Sequence, residues 1–196
     1  MKLVFATNNP HKLKEFKALM PEGIELLSLS DIGCYDDIEE TEATLEGNAR
    51  LKADHVTKKY GYSCFSDDTG LEVEALNGAP GVFSARYAGE KASYENNVNK
   101  LLQEMEGVKN RSGRFRTVIA LNIDYYQYLF EGICEGIILK KQRGTAGFGY
   151  DPIFQPRGLD KSFAEMELDE KGKISHRGQA IKKLIDFLNL LPNSKN

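Results

Sequence analysis

Arg114-Phe115-Arg116-Thr117-Val118-Ile119-Ala120-Leu121-Asn122-Ile123-Asp124 and Tyr128-Leu129-Phe130-Glu131-Gly132-Ile133-Cys134-Glu135-Gly136-Ile137-Ile138-Leu139-Lys140 are the longest β-like runs of the chain. Only Tyr125-Tyr126-Gln127 separates them, so they read as a long hairpin and the spine of a sheet. Working outward, residues 2–6 read as a short buried strand. Thr7-Asn8-Asn9-Pro10 then turns the chain into a helix reaching about Met20, with Asn9 as N-cap and Pro10 at the first helical position. Residues 24–29 read as a second strand. Residues 44–60 read as a helix, because Leu45, Ala49, Lys52, Ala53 and Val56 recur at three or four. Residues 62–66 read as a strand that ends in an acidic turn, and residues 93–106 as a further helix. Residues 175–191 close the chain with a helix whose Ala180, Ile181, Leu184, Ile185 and Leu188 form a buried stripe, while Lys182 and Lys183 face water. Residues 192–196 read as a frayed end. Strands and helices mix without strict alternation, which predicts an α/β fold with an elongated mixed central sheet and flanking helices.

A chain of 196 residues with 41% hydrophobic content supports one domain, 1–196, with two lobes and no separate linker. A net charge of −3 argues against a nucleic-acid polymer as partner, since such surfaces depend on clustered Lys and Arg. A small anionic ligand stays open. No apolar run approaches the roughly 20 residues of a membrane span, and residues 3–6 are too short for a signal-peptide core, so the expected location is cytoplasmic. Cys34, Cys64 and Cys134 are odd in number and widely separated, which predicts buried reduced thiols, neither a disulfide framework nor a zinc site.

Four segments carry candidate chemistry. In Ser66-Asp67-Asp68-Thr69-Gly70 two adjacent carboxylates need donors, a cation, or both. An isolated Asp-Asp-x-Gly is more often a simple turn. Thr7-Asn8-Asn9-Pro10-His11-Lys12 sits where a helix start favours an anion, and Lys12 adds charge. Glu39-Glu40-Thr41 lies in an acidic loop, and a carboxylate there, with Asp68, would suffice for magnesium. Arg143-Gly144-Thr145-Ala146-Gly147-Phe148-Gly149-Tyr150-Asp151-Pro152 pairs glycines that permit close approach with aromatics that can face a base. Near the end, Lys171-Gly172-Lys173-Ile174-Ser175-His176-Arg177 puts donors at the start of the last helix.

Together these segments resemble the inosine triphosphate pyrophosphatase family. The resemblance runs through Thr7-Asn8, Glu39, Asn48-Ala49-x-x-Lys52-Ala53, Ser66-Asp67-Asp68-Thr69-Gly70-Leu71, Gly78-Ala79-Pro80-Gly81-Val82-Phe83-Ser84-Ala85-Arg86-Tyr87, Gly147-Phe148-Gly149-Tyr150-Asp151-Pro152 and Ile174-Ser175-His176-Arg177. It implies hydrolysis of aberrant purine nucleoside triphosphates with a 6-keto base (ITP, dITP, XTP) to monophosphate and pyrophosphate. It also implies that Thr7, Asn8, Asn9, Pro10, His11 and Lys12 hold the triphosphate. Glu39 and Asp68 would hold Mg2+, with Asp68 also the proton acceptor. By the same resemblance Thr69 contacts substrate, Phe148, Gly149, Tyr150 and Asp151 frame the base, and Lys171, His176 and Arg177 complete base and phosphate recognition. The implied fold has a cleft between two lobes, and the implied assembly is a homodimer.

The chain departs from the family pattern at Leu45-Glu46-Gly47-Asn48-Ala49, where a glycine, expected in mid-helix, replaces the usual acidic residue. Two rivals are a Maf-like pyrophosphatase for other modified nucleotides, whose motifs fit less well, and a nucleotide-binding sensor without chemistry. Intact Glu39, Asp67, Asp68 and Lys12 argue against the sensor.

Overall fold

The computed structural model describes residues 1–191, so the expected frayed end at 192–196 lies outside the described residues. The fold is mixed α/β. In chain order it runs β1 (Lys2–Phe5), α1 (Pro10–Leu19), β2 (Glu25–Leu27), α2 (Leu45–Tyr60), β3 (Cys64–Val73), β4 (Pro80–Gly81), α3 (Tyr94–Glu104), β5 (Ser112–Ile123), β6 (Tyr126–Ile138), β7 (Phe154–Pro156), α4 (Leu168–Ile174) and α5 (His176–Leu190). A single sheet has the order β2-β1-β3-β5-β6-β7, with β4 added on β3. β1 pairs in parallel with β2 and β3, whereas β4 on β3 and β7 on β6 are antiparallel, so the sheet is mixed.

The chain divides into two compact units. The first takes Met1–Asp68, Thr117–Gly132 and the chain from Arg177 onward; the second takes Thr69–Arg116 and Ile133–His176. In the first, successive side chains of β1 leave opposite faces of the sheet. Leu3 and Phe5 join Phe16, Phe65, Ile119, Leu121, Ala180, Ile181 and Leu184. Val4 and Ala6 join Leu29, Cys34, Val56 and Cys64. Both faces are covered, which is why the strand is apolar after its exposed first residue, Lys2. The Phe5 and Phe65 rings stack at 4.6 Å. In the second unit Leu71, Val98, Leu101, Phe115, Ile138, Phe154 and Phe163 form a separate core.

Several expectations change. The acidic segment is no turn: β3 runs from Cys64 to Val73 straight through Asp67 and Asp68. The hairpin turns on Asp124 and Tyr125, whose φ angles of 49° and 68° match a two-residue hairpin loop. The last helix is preceded by a separate short helix, α4, and Ser175 closes α4 as its C-cap. Gly47 lies in the first turn of α2, where its N–H is capped by Thr44 Oγ1 at 3.0 Å. A Cβ there would meet the Glu42 Cβ at 2.6 Å, so glycine suits the position.

Candidate active site

In the first unit the period of β3 separates the two carboxylates. Phe65 and Asp67 share one face, and Asp68 takes the other with Cys64 and Ser66. On the first face Asp67 meets Lys12 of α1 at 2.9 Å and the Arg177 Nε of α5 at 3.8 Å. On the other, Asp68 Oδ2 accepts from Asn48 Nδ2 of α2 at 3.1 Å. Lys52, one turn beyond Asn48, donates to the Asp67 carbonyl at 2.7 Å and pairs with Glu40 at 2.5 Å. The Arg177 guanidinium is also paired with Glu15.

This cluster is buried, and its protonation follows from that. Burial pushes Asp67 upward, but Lys12, Arg177 and Lys52 outweigh it and hold its carboxyl below the ordinary value. Burial lowers Lys12, with Asp67 opposing. Burial also opposes the charge on Lys52, yet Asp68, Glu40 and Asp67 together keep its pKa raised. Asp68 is the exception. Its burial, together with the negative charge of Glu40, pushes it up to about 6 although Lys52 and Lys12 pull downward. A carboxylate held near neutrality is matched to accepting a proton at physiological pH. The same excess of negative charge at Asp68 and Glu40 fits a hard divalent cation, which takes oxygen donors and as few as one or two protein carboxylates.

The helix start holds the expected cap. Asn9 Oδ1 accepts from the His11 and Lys12 N–H groups at 3.0 and 3.3 Å, and the Asn9 N–H donates to Thr7 Oγ1 at 3.2 Å. Asn8, Pro10 and His11 are exposed, and Thr7, Asn9, Leu13, Ser28, Cys34 and Tyr35 are among the residues lining a cavity of about 380 Å3. Glu39 is exposed, whereas Glu40 turns to Lys52. Glu40 is thus engaged by a cation, while the Glu39 carboxylate faces solvent on the same loop. Sequence reasoning also missed Glu15 and the roles of Lys52 and Asn48. The signal was there: a lysine and an asparagine on the apolar face of a helix must meet buried partners.

The second unit gathers the remaining candidates. Asp151 pairs with Lys171 at 2.8 Å, both buried, and Asp151 Oδ2 also accepts from the Phe148 N–H at 2.8 Å. The Lys171 ammonium stands 5.1 Å from the centroid of the half-buried Phe148 ring, whose other neighbour is Tyr94 at 5.9 Å. Gly147 has φ +74°, and a Cβ on it would meet Asp151 Oδ2 at 2.1 Å, so glycine is required for the loop to fold over this carboxylate. Gly149 is half-buried beside it. The Tyr150 hydroxyl donates to the Ser84 carbonyl at 2.8 Å. His176 is buried and stacks on Phe115 at 4.5 Å, and Thr69 is half-buried. His176 and Arg177, consecutive in sequence, thus fall in different units.

A family model described as the Ham1 family matches residues 3–187. A protein of Flavobacterium johnsoniae named dITP/XTP pyrophosphatase is 58% identical over 188 residues, 96% of this chain and 98% of that protein. One of the same name from Christiangramia forsetii is 61% identical over 188 residues, 96% of this chain and 99% of its own length. Among solved structures, the Staphylococcus aureus Ham1 protein superposes with TM-score 0.88 at 41% identity, over 96% of this chain and 98% of that one. A HAM1 protein from Coxiella burnetii gives TM-score 0.90 at 39% identity, over 97% and 100%.

Proposed function

The chain belongs to the Ham1 family, and from that premise we propose that it is a pyrophosphatase for dITP, XTP and ITP, removing aberrant purine nucleotides before they enter DNA or RNA. The observation that carries this reading is its near full-length likeness to proteins named dITP/XTP pyrophosphatase. The buried lysines and carboxylates of the first unit supply the chemistry.

Water attacks the α-phosphorus, the bond from that phosphorus to the αβ-bridging oxygen breaks, pyrophosphate leaves, and the proton of the water passes to Asp68. A pKa near 6 suits Asp68 to that task. Lys12 and the capped start of α1 oppose the charge of the leaving group. Asp68 and Glu39 are the residues that would hold Mg2+, with Glu40, paired with Lys52, beside Glu39 on the same loop, and the ion, when bound, would neutralise phosphate oxygens. Thr7, Asn8, Asn9, Pro10 and His11 line the triphosphate, and Thr69 contacts substrate.

Base recognition falls to Phe148, Gly149, Tyr150, Asp151 and Lys171, with His176 and Arg177 donating to the 6-keto oxygen. Adenine presents an amino group where hypoxanthine presents an oxygen, and a site built on such a hydrogen bond discriminates by about 10⁴–10⁵-fold. The chain acts as a homodimer in the cytoplasm; among the described residues no helix is long and apolar enough to cross a membrane.

The test is pyrophosphate release from dITP, XTP and ITP beside ATP and GTP, with Mg2+ or with EDTA. Metal-dependent release from the 6-keto substrates, with ATP spared, is the expected result. Release of inorganic phosphate, or tight nucleotide binding without turnover, overturns it.

A further inference from the structure

None of Cys34, Asp36 and His55 enters the cluster around Asp68, yet the fold of the first unit brings their donor atoms within 4.8 Å of one another. The local sequence explains how. Gly33, at φ 68°, turns the chain out of a short 3-10 turn at Ser30–Ile32. Cys34 and Asp36, two residues apart, then face α2, where His55 and Lys59, one turn apart, share one side. Cys34 Sγ lies 3.9 Å and His55 Nε2 2.7 Å from Asp36 Oδ2. The Tyr60 hydroxyl reaches the same oxygen at 3.0 Å, and Lys59 Nζ reaches both carboxylate oxygens at 2.9 and 2.8 Å.

Sulfur, nitrogen and oxygen donors on three side chains are a borderline-soft set, the kind that selects zinc and not magnesium. Tetrahedral zinc with bonds of about 2.0–2.3 Å separates its ligands by roughly 3.3–3.7 Å, so small side-chain rotations suffice. We infer that Cys34, Asp36 and His55 form a site for a thiophilic divalent cation of the zinc class, in which the Lys59 ammonium stands in for the ion. On binding, Cys34 gives its proton to solvent and Lys59, whose side chain is 54% exposed, swings into water. The fourth position has room, because Cys34 and Asp36 line the cavity of about 380 Å3 that also borders Thr7 and Asn9. The three widely spaced cysteines gave no zinc spacing in the sequence; the fold supplies a histidine and an aspartate to one of them.

The experiment titrates the full chain, stripped of metal with a chelator, with Co2+ and then Zn2+. The expected result is one cobalt per chain with an intense near-ultraviolet sulfur-to-cobalt band, displaced by zinc. Cobalt at the all-oxygen site of Asp68 and Glu39 gives no such band, so the two sites are told apart. Cys34→Ser should abolish the band, and His55→Ala should weaken binding at least about tenfold, no less than loss of an outer-shell partner costs a metal site. Lys59→Met, which removes only an exposed ion pair and should fold normally, should tighten binding about two- to fivefold, the worth of such a pair. Absence of the band in the wild type, its persistence in Cys34→Ser, or unchanged cobalt affinity in Lys59→Met overturns the assignment.

Discussion

In the proposed mechanism Asp68 takes the proton of the attacking water, and its burial carries a cost to stability. As proton acceptor its replacement in Asp68→Asn should lower pyrophosphate release by at least about 10²–10⁴-fold while the fold persists, since the amide keeps the shape and the contact with Asn48. Turnover within threefold of wild type would remove Asp68 from the mechanism. The same substitution reads out the burial. The folded carboxyl titrates near 6 against an ordinary 3.8, so between those values the native state holds a proton that the unfolded chain has released. Stability from this group is therefore full below pH 3.8 and lost as pH rises through about 6. Two units at about 1.4 kcal/mol each put the cost near 3 kcal/mol at pH 7.5. In EDTA, Asp68→Asn should be more stable than wild type at pH 7.5, by up to about 3 kcal/mol, and equal to it near pH 4, measured by urea unfolding. A variant less stable at pH 7.5 contradicts the raised pKa. At this scale the adjacent acidic pair was legible as a place that needs donors, and Asp67 meets Lys12. It was least legible where a contact rides on an element's phase. Lys52 looked like one more position of an apolar stripe, and its reach to Glu40 and to the Asp67 carbonyl shows only once the chain is folded.

At the scale of elements, periodicity and capping were readable because they are local. Asn9 and Pro10 announce α1, and the helices read from residues 44 and 93 begin one residue later, with Thr44 and Ser93 as their caps. What failed was non-local. Asp67, Asp68 and Gly70 carry turn chemistry, but they lie inside a strand that β1 pairs before them, β4 pairs after them and β5 flanks, and side-chain partners meet the two carboxylates on opposite faces. Tertiary contacts overrode the propensity. The start of the last helix near Ser175 was read within a residue, but the short α4 ahead of it was not read at all. Gly70 shows the pairing at work: a Cβ on it would lie 2.6 Å from the Gly81 carbonyl oxygen, a backbone atom that cannot swing aside. Gly70→Ala should thus push β4 away from β3 and cost about 1–3 kcal/mol, the usual price of overpacking. For a chain of this length that is a drop in Tm of roughly 2–12 °C. An unchanged melting temperature would mean that β4 is not held against β3 as described.

At the scale of the molecule, the assignments divide between the two units, and the division is testable without knowing how the units are disposed. The proposed phosphate-binding residues, Lys12 and the start of α1, lie in the first unit; the proposed base-binding residues, the loop at Phe148–Asp151 and Lys171, lie in the second. Inorganic triphosphate, which has no base, separates them as a competitive inhibitor. Stacking of a base on an aromatic ring is worth about 1–3 kcal/mol, so Phe148→Ala should weaken dITP by roughly 5- to 150-fold and leave inhibition by triphosphate unchanged. Lys12→Met should weaken dITP, dATP and triphosphate alike, because it removes a charge that every polyphosphate meets. It also deprives Asp67 of its nearest cation, but Arg177 and Lys52 remain beside that carboxylate, so the variant should still fold. The two variants should therefore give crossed patterns, measured as KM for the nucleotides and as the inhibition constant for triphosphate. If Phe148→Ala weakens triphosphate as much as dITP, the ring is supporting the phosphate residues and not the base. If Lys12→Met weakens dITP but spares triphosphate, the helix start does not hold the phosphates, and the anion site must be sought among the other buried cations, Lys52 first.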